Sequence, residues 1–168
     1  VSLDTPLNIF HLLIAQAFGN DPLLRVLAVF LSSSLVTILV YFLLRELMES
    51  RHLAFLGAVL YNLIPNKLNL FQTLEYTNLH LAHSLYLVAF ILFIRFLKNE
   101  RWRWLWAGIA CYGVGVFWHP IGYFLPAVLV LYSLLVNPKK AWIASLLFIP
   151  ARAYWAWRGN LFGICGPE

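Results

Sequence analysis

Long apolar runs that are nearly free of charge alternate with short polar loops along this chain. The run at 23–44 holds one charge, Arg25, near its start, and the runs at 77–94 and 104–118 hold none. A bilayer core requires roughly 20 apolar helical residues per crossing, and only helices or closed barrels pair all their backbone polar groups there. The pattern therefore predicts a polytopic helical membrane protein.

Shorter runs near the N-terminus are bounded by helix breakers. The stretch at 7–18 is too short to cross a bilayer and is predicted to be an interfacial helix. Asp21 is predicted to cap the next helix, with Pro22 in its first turn. A second span at 53–64 is predicted to kink or exit at Pro65, because proline removes a helical hydrogen bond.

The C-terminal third adds a span at 121–136 and a weaker segment at 141–157, which we expect to be broken at Pro150 and Arg152. The predicted fold class is thus all-α, a polytopic transmembrane bundle of about five to six spans plus one interfacial helix. We expect residues 1–157 to form the transmembrane domain and 158–168 a tail. Since the chain begins at Val1 with no signal peptide, we expect it to be part of a larger membrane domain.

Composition supports a membrane protein and argues against nucleic-acid binding. Apolar residues make up 62% of the chain and charged residues 11%, whereas soluble domains carry about 25% charged residues. The formal charge is +5, but no basic stripe lies on a polar face, so no nucleic-acid partner is expected. Cys111 and Cys165 are far apart and suggest neither a disulfide framework nor a metal site.

The distribution of lysine and arginine predicts the orientation. The loops at 45–52, 95–103 and 138–140 hold eight cations, and the intervening loops hold only Lys67. Cytoplasmic loops carry the excess of lysine and arginine, so these three loops are predicted to be cytoplasmic. We expect an integral protein of the plasma or inner membrane or of the endoplasmic reticulum. The eight cations are Arg45, Arg51, Arg95, Lys98, Arg101, Arg103, Lys139 and Lys140.

The other polar residues mostly fall on the predicted non-cytoplasmic side. Ionisable groups in or beside a membrane are costly, which makes each a candidate for function. His80 and His83 share a helix face, but two imidazoles without a nearby cysteine or paired carboxylate rarely bind zinc, so no metal and no cofactor is expected. Each residue also has a structural explanation, such as solvation, a weak ion pair or a helix cap. The group includes Asp4, Asn62, Lys67, Glu75, His80, His83 and His119.

The order of these parts resembles the GT-C superfamily of polytopic glycosyltransferases, nearest to the branch of protein mannosyltransferases and aminoarabinose transferases. The resemblance covers about residues 3–136. It rests on the proline–leucine segment at 3–7, a Phe18-Gly19 turn, Arg25-Val26 opening the next span, the proline exit at 60–65, and the polar stretches at 72–76 and 117–125.

The resemblance implies transfer of a sugar from a polyprenyl-phosphate carrier to an acceptor on the non-cytoplasmic face. It places the catalytic aspartate upstream of Val1, and by matching position it favours Asp4 and Glu75, then His119, as substrate-binding residues. Lys67 and His80 are further substrate-binding candidates. The expected partners are the lipid-linked sugar donor and membrane lipid, with no prediction of oligomeric state. The alternatives are a transporter or channel segment and a non-catalytic membrane scaffold.

Overall fold

The computed structural model describes residues 21–48, 50–63 and 75–162. Asp4, Lys67 and the interfacial helix predicted at 7–18 lie outside these ranges. Regular structure in the described residues is entirely helical, which confirms the all-α fold class. The helices are α1 (Pro22–Leu47), α2 (Arg51–Asn62), α3 (Glu75–Asn99), α4 (Trp102–Trp118), α5 (Leu125–Val136), α6 (Ala141–Ala144) and α7 (Phe148–Phe162).

The start of α1 follows the predicted capping pattern. Asp21 is extended, and its carboxylate accepts a 2.8 Å hydrogen bond from the backbone N–H of Leu23. Pro22 occupies the first helical position, where a missing N–H costs no intrahelical bond. The cap and the long apolar run therefore give one helix of 26 residues.

The central helix is α3, which packs against α1 on one side and against α4 and α5 on the other. Its approach to α4 is close because Gly108 is buried against the Ala89 carbonyl, where an added Cβ would lie at 3.3 Å from the oxygen. Small residues permit such close helix contacts in membranes. Gly108 thus serves the close packing of α4 on α3.

A hydrophobic core lies between α3 and the C-terminal helices. Tyr112, Val116 and Leu129 are fully buried, and Phe93 is 1% exposed. In contrast, α1 and α2 leave many large apolar side chains exposed, and Leu135 on α5 is 87% exposed. In a bilayer this exposed apolar surface needs no cover, because lipid chains replace water around it.

Two described helical stretches are long and apolar enough to cross a membrane, Val26–Leu47 and Leu79–Asn99, and Ile121–Val136 is a shorter apolar segment. At 1.5 Å per residue, the 17 residues of α4 span about 25 Å, slightly less than a bilayer core. The described structure is a membrane helical bundle. Its expected total of five to six spans stays a prediction.

The last predicted segment differs from expectation in where it breaks. The break is a 3-10 turn at Ser145–Leu147, between α6 and α7, and not at Pro150 or Arg152. Pro150 lies in the first turn of α7, and its ring and missing N–H disfavour an α-helical bond to the carbonyl of Leu146, which lies inside this 3-10 turn. The interruption predicted from Pro150 therefore lies one turn before the proline, and only the break predicted at Arg152, which lies inside α7, was wrong. Helix α7 continues to Phe162, past residue 157, where we expected the transmembrane domain to end.

Candidate functional site at the aromatic end of the bundle

The three predicted basic loops come together at one end of the bundle, here called the basic end. Arg95 on α3 donates from Nε to Glu46 of α1 at 2.7 Å, and Lys98 lies 3.2 Å from the same carboxylate. Lys140, which follows α5, pairs with Glu100 at 2.5 Å. These pairs place the ends of α1, α3 and α5 on one side of the molecule.

Charge and aromatic residues are combined at the basic end. The guanidinium groups of Arg95 and Arg103 lie 5.9 and 4.9 Å from the ring centroid of Trp104. The Lys140 ammonium lowers the pKa of the exposed Glu100 carboxyl through their hydrogen bond and charge attraction. Exposed Trp102 and Trp106 flank this region, as expected for residues at the headgroup level.

The opposite end of α4 carries His119, one of the predicted site residues. Its backbone N–H donates to the Gly115 carbonyl at 2.8 Å and so closes α4. Its ring Nδ1 accepts a 3.3 Å hydrogen bond from the backbone N–H of Ile121, which opens the 3-10 turn Pro120–Phe124. The first residues of the run predicted at 121–136 therefore form this turn, and α5 begins only at Leu125.

The capping bond also fixes the chemistry of the His119 ring. When Nδ1 accepts, the neutral ring carries its proton on Nε2, which then remains a donor for another group. Burial lowers the pKa of His119 below its usual value, since it disfavours the charged ring. His119 is therefore a structural cap whose Nε2–H can still serve a ligand.

Tyr86 of α3 holds the turn that follows His119. Its hydroxyl donates to the His119 carbonyl oxygen. Its ring lies over Gly115 and Gly122, where an added Cβ would overlap the ring atoms at either position. Two glycines thus make the space for one tyrosine, whose hydroxyl connects α3 to the link between α4 and α5.

Aromatic rings surround this turn, and the region is here called the aromatic end. Tyr123 stacks on Trp155 with centroids 5.5 Å apart, and Phe117 meets the rings of Tyr154 and Trp157. The buried hydroxyl of Tyr112 has no hydrogen-bond partner among the described residues. Phenol and indole groups supply apolar faces with polar edges, a combination suited to a membrane interface.

Arg158 is a residue of this end that the sequence reasoning missed. It lies on α7, one helical turn after Tyr154, whose ring packs against that of Tyr123. The expected domain end at 157 assigned Arg158 to the tail. Its i, i+4 relation to Tyr154 is the signal that would have included it.

Of the other predicted site residues, the described structure includes His80 and Glu75, both on α3. His80 on α3 is buried, 5% exposed, and its carbonyl accepts a 2.9 Å hydrogen bond from Ser84. It precedes Tyr86 by six residues, about 9 Å along the helix. Glu75 is the first residue of α3. The structure thus puts Glu75 and His80 on the helix that reaches the aromatic end, with His119 at that end.

Two further expectations can be compared with the described residues. Asn62 was grouped with the non-cytoplasmic loop, but its side-chain oxygen accepts a 2.9 Å hydrogen bond from Thr37, in the middle of α1. Its role there is helix packing. Within the described ranges, His, Cys, Asp and Glu form no group of three or more that could hold a metal ion.

Comparison with known proteins adds a family to this geometry. The family model of dolichyl-phosphate-mannose-protein mannosyltransferase matches residues 7–156 of this chain. Neither the curated proteins nor the solved structures include a significant match. The family match covers most of the chain and confirms the GT-C resemblance found in the sequence. The chain belongs to the dolichyl-phosphate-mannose-protein mannosyltransferase family, a family of membrane glycosyltransferases of the GT-C kind.

Proposed function

We propose that this chain is part of a transferase that moves a sugar from a polyprenyl-phosphate carrier to an acceptor on the non-cytoplasmic side of the membrane. Family membership supports a lipid-linked sugar as donor. The clustering of cations at the basic end supports a cytoplasmic position for that end. The aromatic end would then face the compartment in which transfer occurs.

The observation that carries the proposal is the separation of chemistry along the bundle. The cations of the basic end are joined by ion pairs with Glu46 and Glu100, about 25 Å of helix away from His119. A lipid-linked donor diffuses within the bilayer, so its phosphate lies at headgroup level and needs cations or hydrogen-bond donors there. The aromatic end offers the Nε2–H of His119 and the guanidinium of Arg158.

The roles we assign follow from these groups. Arg158 would bind phosphate, because a guanidinium donates two parallel hydrogen bonds to such an anion. The His119 Nε2–H would donate to a phosphate or sugar oxygen. Asp4, Lys67, Glu75 and His80 remain candidates for contacts with the sugar or acceptor. The base that activates the acceptor would be the aspartate that the family resemblance implies upstream of Val1.

Transfer by the intact protein in membranes tests these roles. With a polyprenyl-phosphate-linked sugar as donor, Arg158→Gln should raise the KM for the donor about tenfold or more, since one charge-assisted phosphate contact is worth about 1.5–3 kcal/mol. Arg152→Gln is the matched control, because Arg152 is an exposed cation on the same helix. Equal effects of the two variants would contradict the role of Arg158. A folded protein with no transfer would instead indicate a non-catalytic relative.

Cysteine labelling in intact cells tests the orientation. In a variant with both native cysteines replaced, Ile121→Cys at the aromatic end should react with an impermeant maleimide, because Ile121 is 49% exposed. Lys139→Cys at the basic end should react only after the membrane is permeabilised. The opposite pattern would reverse the orientation and remove the proposed acceptor side.

A further inference from the structure

A groove of about 280 Å³ between α1 and α3 is separate from the proposed transfer site. One wall is formed by Leu39 and Phe42 of α1, and the other by Val88, Ile91, Leu92 and Arg95 of α3. The volume is slightly below the range of about 300–1,000 Å³ for whole small-molecule ligands. Apart from Arg95 its lining is apolar, which fits a segment of a hydrocarbon chain.

The groove ends in positive charge. From Val88 to Arg95 it follows α3 for about 10 Å toward the basic end. There Arg95 and Lys98 share one carboxylate, that of Glu46, and the exposed Arg45 lies next to it in the chain. The mouth therefore carries more cations than anions.

The cations at the mouth keep donors for another anion. Arg95 uses its Nε–H for Glu46, but a guanidinium has five N–H groups. The side chains of Arg95 and Lys98 are 39% and 50% exposed, so both can be reached from outside the bundle. The ring of Trp104 lies 5.9 Å from the Arg95 guanidinium, and tryptophan is enriched where headgroups meet hydrocarbon chains.

We propose that this groove binds one acyl chain of an anionic glycerophospholipid whose phosphate is held by Arg95 and Lys98. The apolar part of the groove would hold the acyl chain, and the charged mouth would hold the phosphate. This matches the order of chain and phosphate from the bilayer core to its surface. Basic pockets between transmembrane helices are known to bind anionic headgroups on the cytoplasmic side. A second protein helix in the groove would have to cover these cations, which costs more than leaving them at the headgroup layer.

Native mass spectrometry of the intact protein tests this proposal. The protein is reconstituted in equal parts of phosphatidylglycerol and phosphatidylcholine, extracted in mild detergent, and scored for retained lipid. We expect phosphatidylglycerol to be retained preferentially. Arg95→Gln should lower its retention about tenfold relative to phosphatidylcholine, the ratio that corresponds to about 1.4 kcal/mol. Lys139→Gln, which removes an exposed cation from the same end, should leave retention unchanged.

Glu46→Gln separates lipid binding from a structural role of the ion pair. Arg95→Gln and Glu46→Gln break the same contact between α1 and α3, so a purely structural pair predicts the same loss from both. If Glu46 competes with the lipid phosphate, Glu46→Gln should instead increase retention of phosphatidylglycerol. Reduced retention in both variants would overturn the proposal.

Filling the groove tests the acyl chain. Val88→Phe should abolish preferential retention without changing charge, and Leu39→Phe on the opposite wall is a second such variant if the first does not fold. Leu135→Phe, on the exposed face of α5, is the control. Unchanged retention in both filled variants would overturn the proposal, and so would equal retention of the two lipids by the native protein. A change in the number of protein copies per complex, in place of lipid loss, would overturn it as well.

Discussion

The two ends of the bundle are held together by different forces. At the basic end, partly exposed ion pairs connect α1, α3 and the segment after α5, and water and salt screen such pairs. At the aromatic end, Tyr86 fills the space over two glycines and donates to the His119 carbonyl. The comparison indicates that screened ion pairs hold the basic end, while close packing sets the local geometry of the aromatic end. The transfer site that we propose lies at the end whose geometry is set by packing.

The largest expected effect comes from closing the space beneath Tyr86. Gly122→Ala should lower the free energy of unfolding by about 1–3 kcal/mol, because the added methyl overlaps the ring of Tyr86 and a packed core yields only with strain. Gly113→Ala is the control, since its Cβ would lie at 3.6 Å from Pro150, an ordinary contact. Thermal unfolding in detergent, followed by circular dichroism, measures both. Equal losses would mean that the aromatic end has no special geometric constraint.

The hydroxyl of Tyr86 should contribute less than its ring. Tyr86→Phe keeps the packing over the glycines but leaves the His119 carbonyl without its donor, so a loss of about 1 kcal/mol is expected. Tyr41→Phe, at a half-buried position on α1, provides the comparison in the same unfolding assay. No difference between the variants would show that packing alone holds the link between α4 and α5.

Acid should weaken the aromatic end through His119. Burial lowers its pKa in the folded protein, so below the unfolded value of about 6.5 the unfolded chain binds more protons. Stability should therefore fall as the pH drops from about 6.5 through the lower folded pKa, where protonation also removes the Nδ1 acceptor. Unfolding midpoints between about pH 7 and pH 5 measure this slope. His119→Gln should flatten it, and an unchanged slope would assign it to other groups.

The smallest effect is expected at the basic end. Glu100 follows α3 with a φ of 56°, a left-handed conformation that favours glycine. Glu100→Gly should raise the melting temperature slightly, because relief of backbone strain outweighs an exposed ion pair with Lys140. Asn99→Gly, at the last helical position, should lower it. A clear loss in Glu100→Gly would show that the ion pairs of this end contribute more than their exposure suggests.

The sequence alone determined the features that depend on neighbours along the chain. Helices form where apolar runs must satisfy their backbone hydrogen bonds within a bilayer, so the runs at 23–44, 77–94 and 104–118 correspond to α1, α3 and α4. Asp21 caps α1 because its carboxylate reaches an N–H only two residues away. The grouping of basic loops was also readable, because each successive crossing reverses the direction of the chain.

Only the tertiary structure decided which distant residues meet. Tyr86 and His119 are 33 residues apart, and Arg95 is 49 residues from Glu46, so no local period indicates either contact. Arg158 lies beside the rings of the aromatic end because α7 packs against α4, a contact that no local pattern indicates. The contacts of the aromatic end could therefore not be predicted from the sequence. They come from side-chain packing between helices, and the spacing of residues along the chain does not show which helix faces come together.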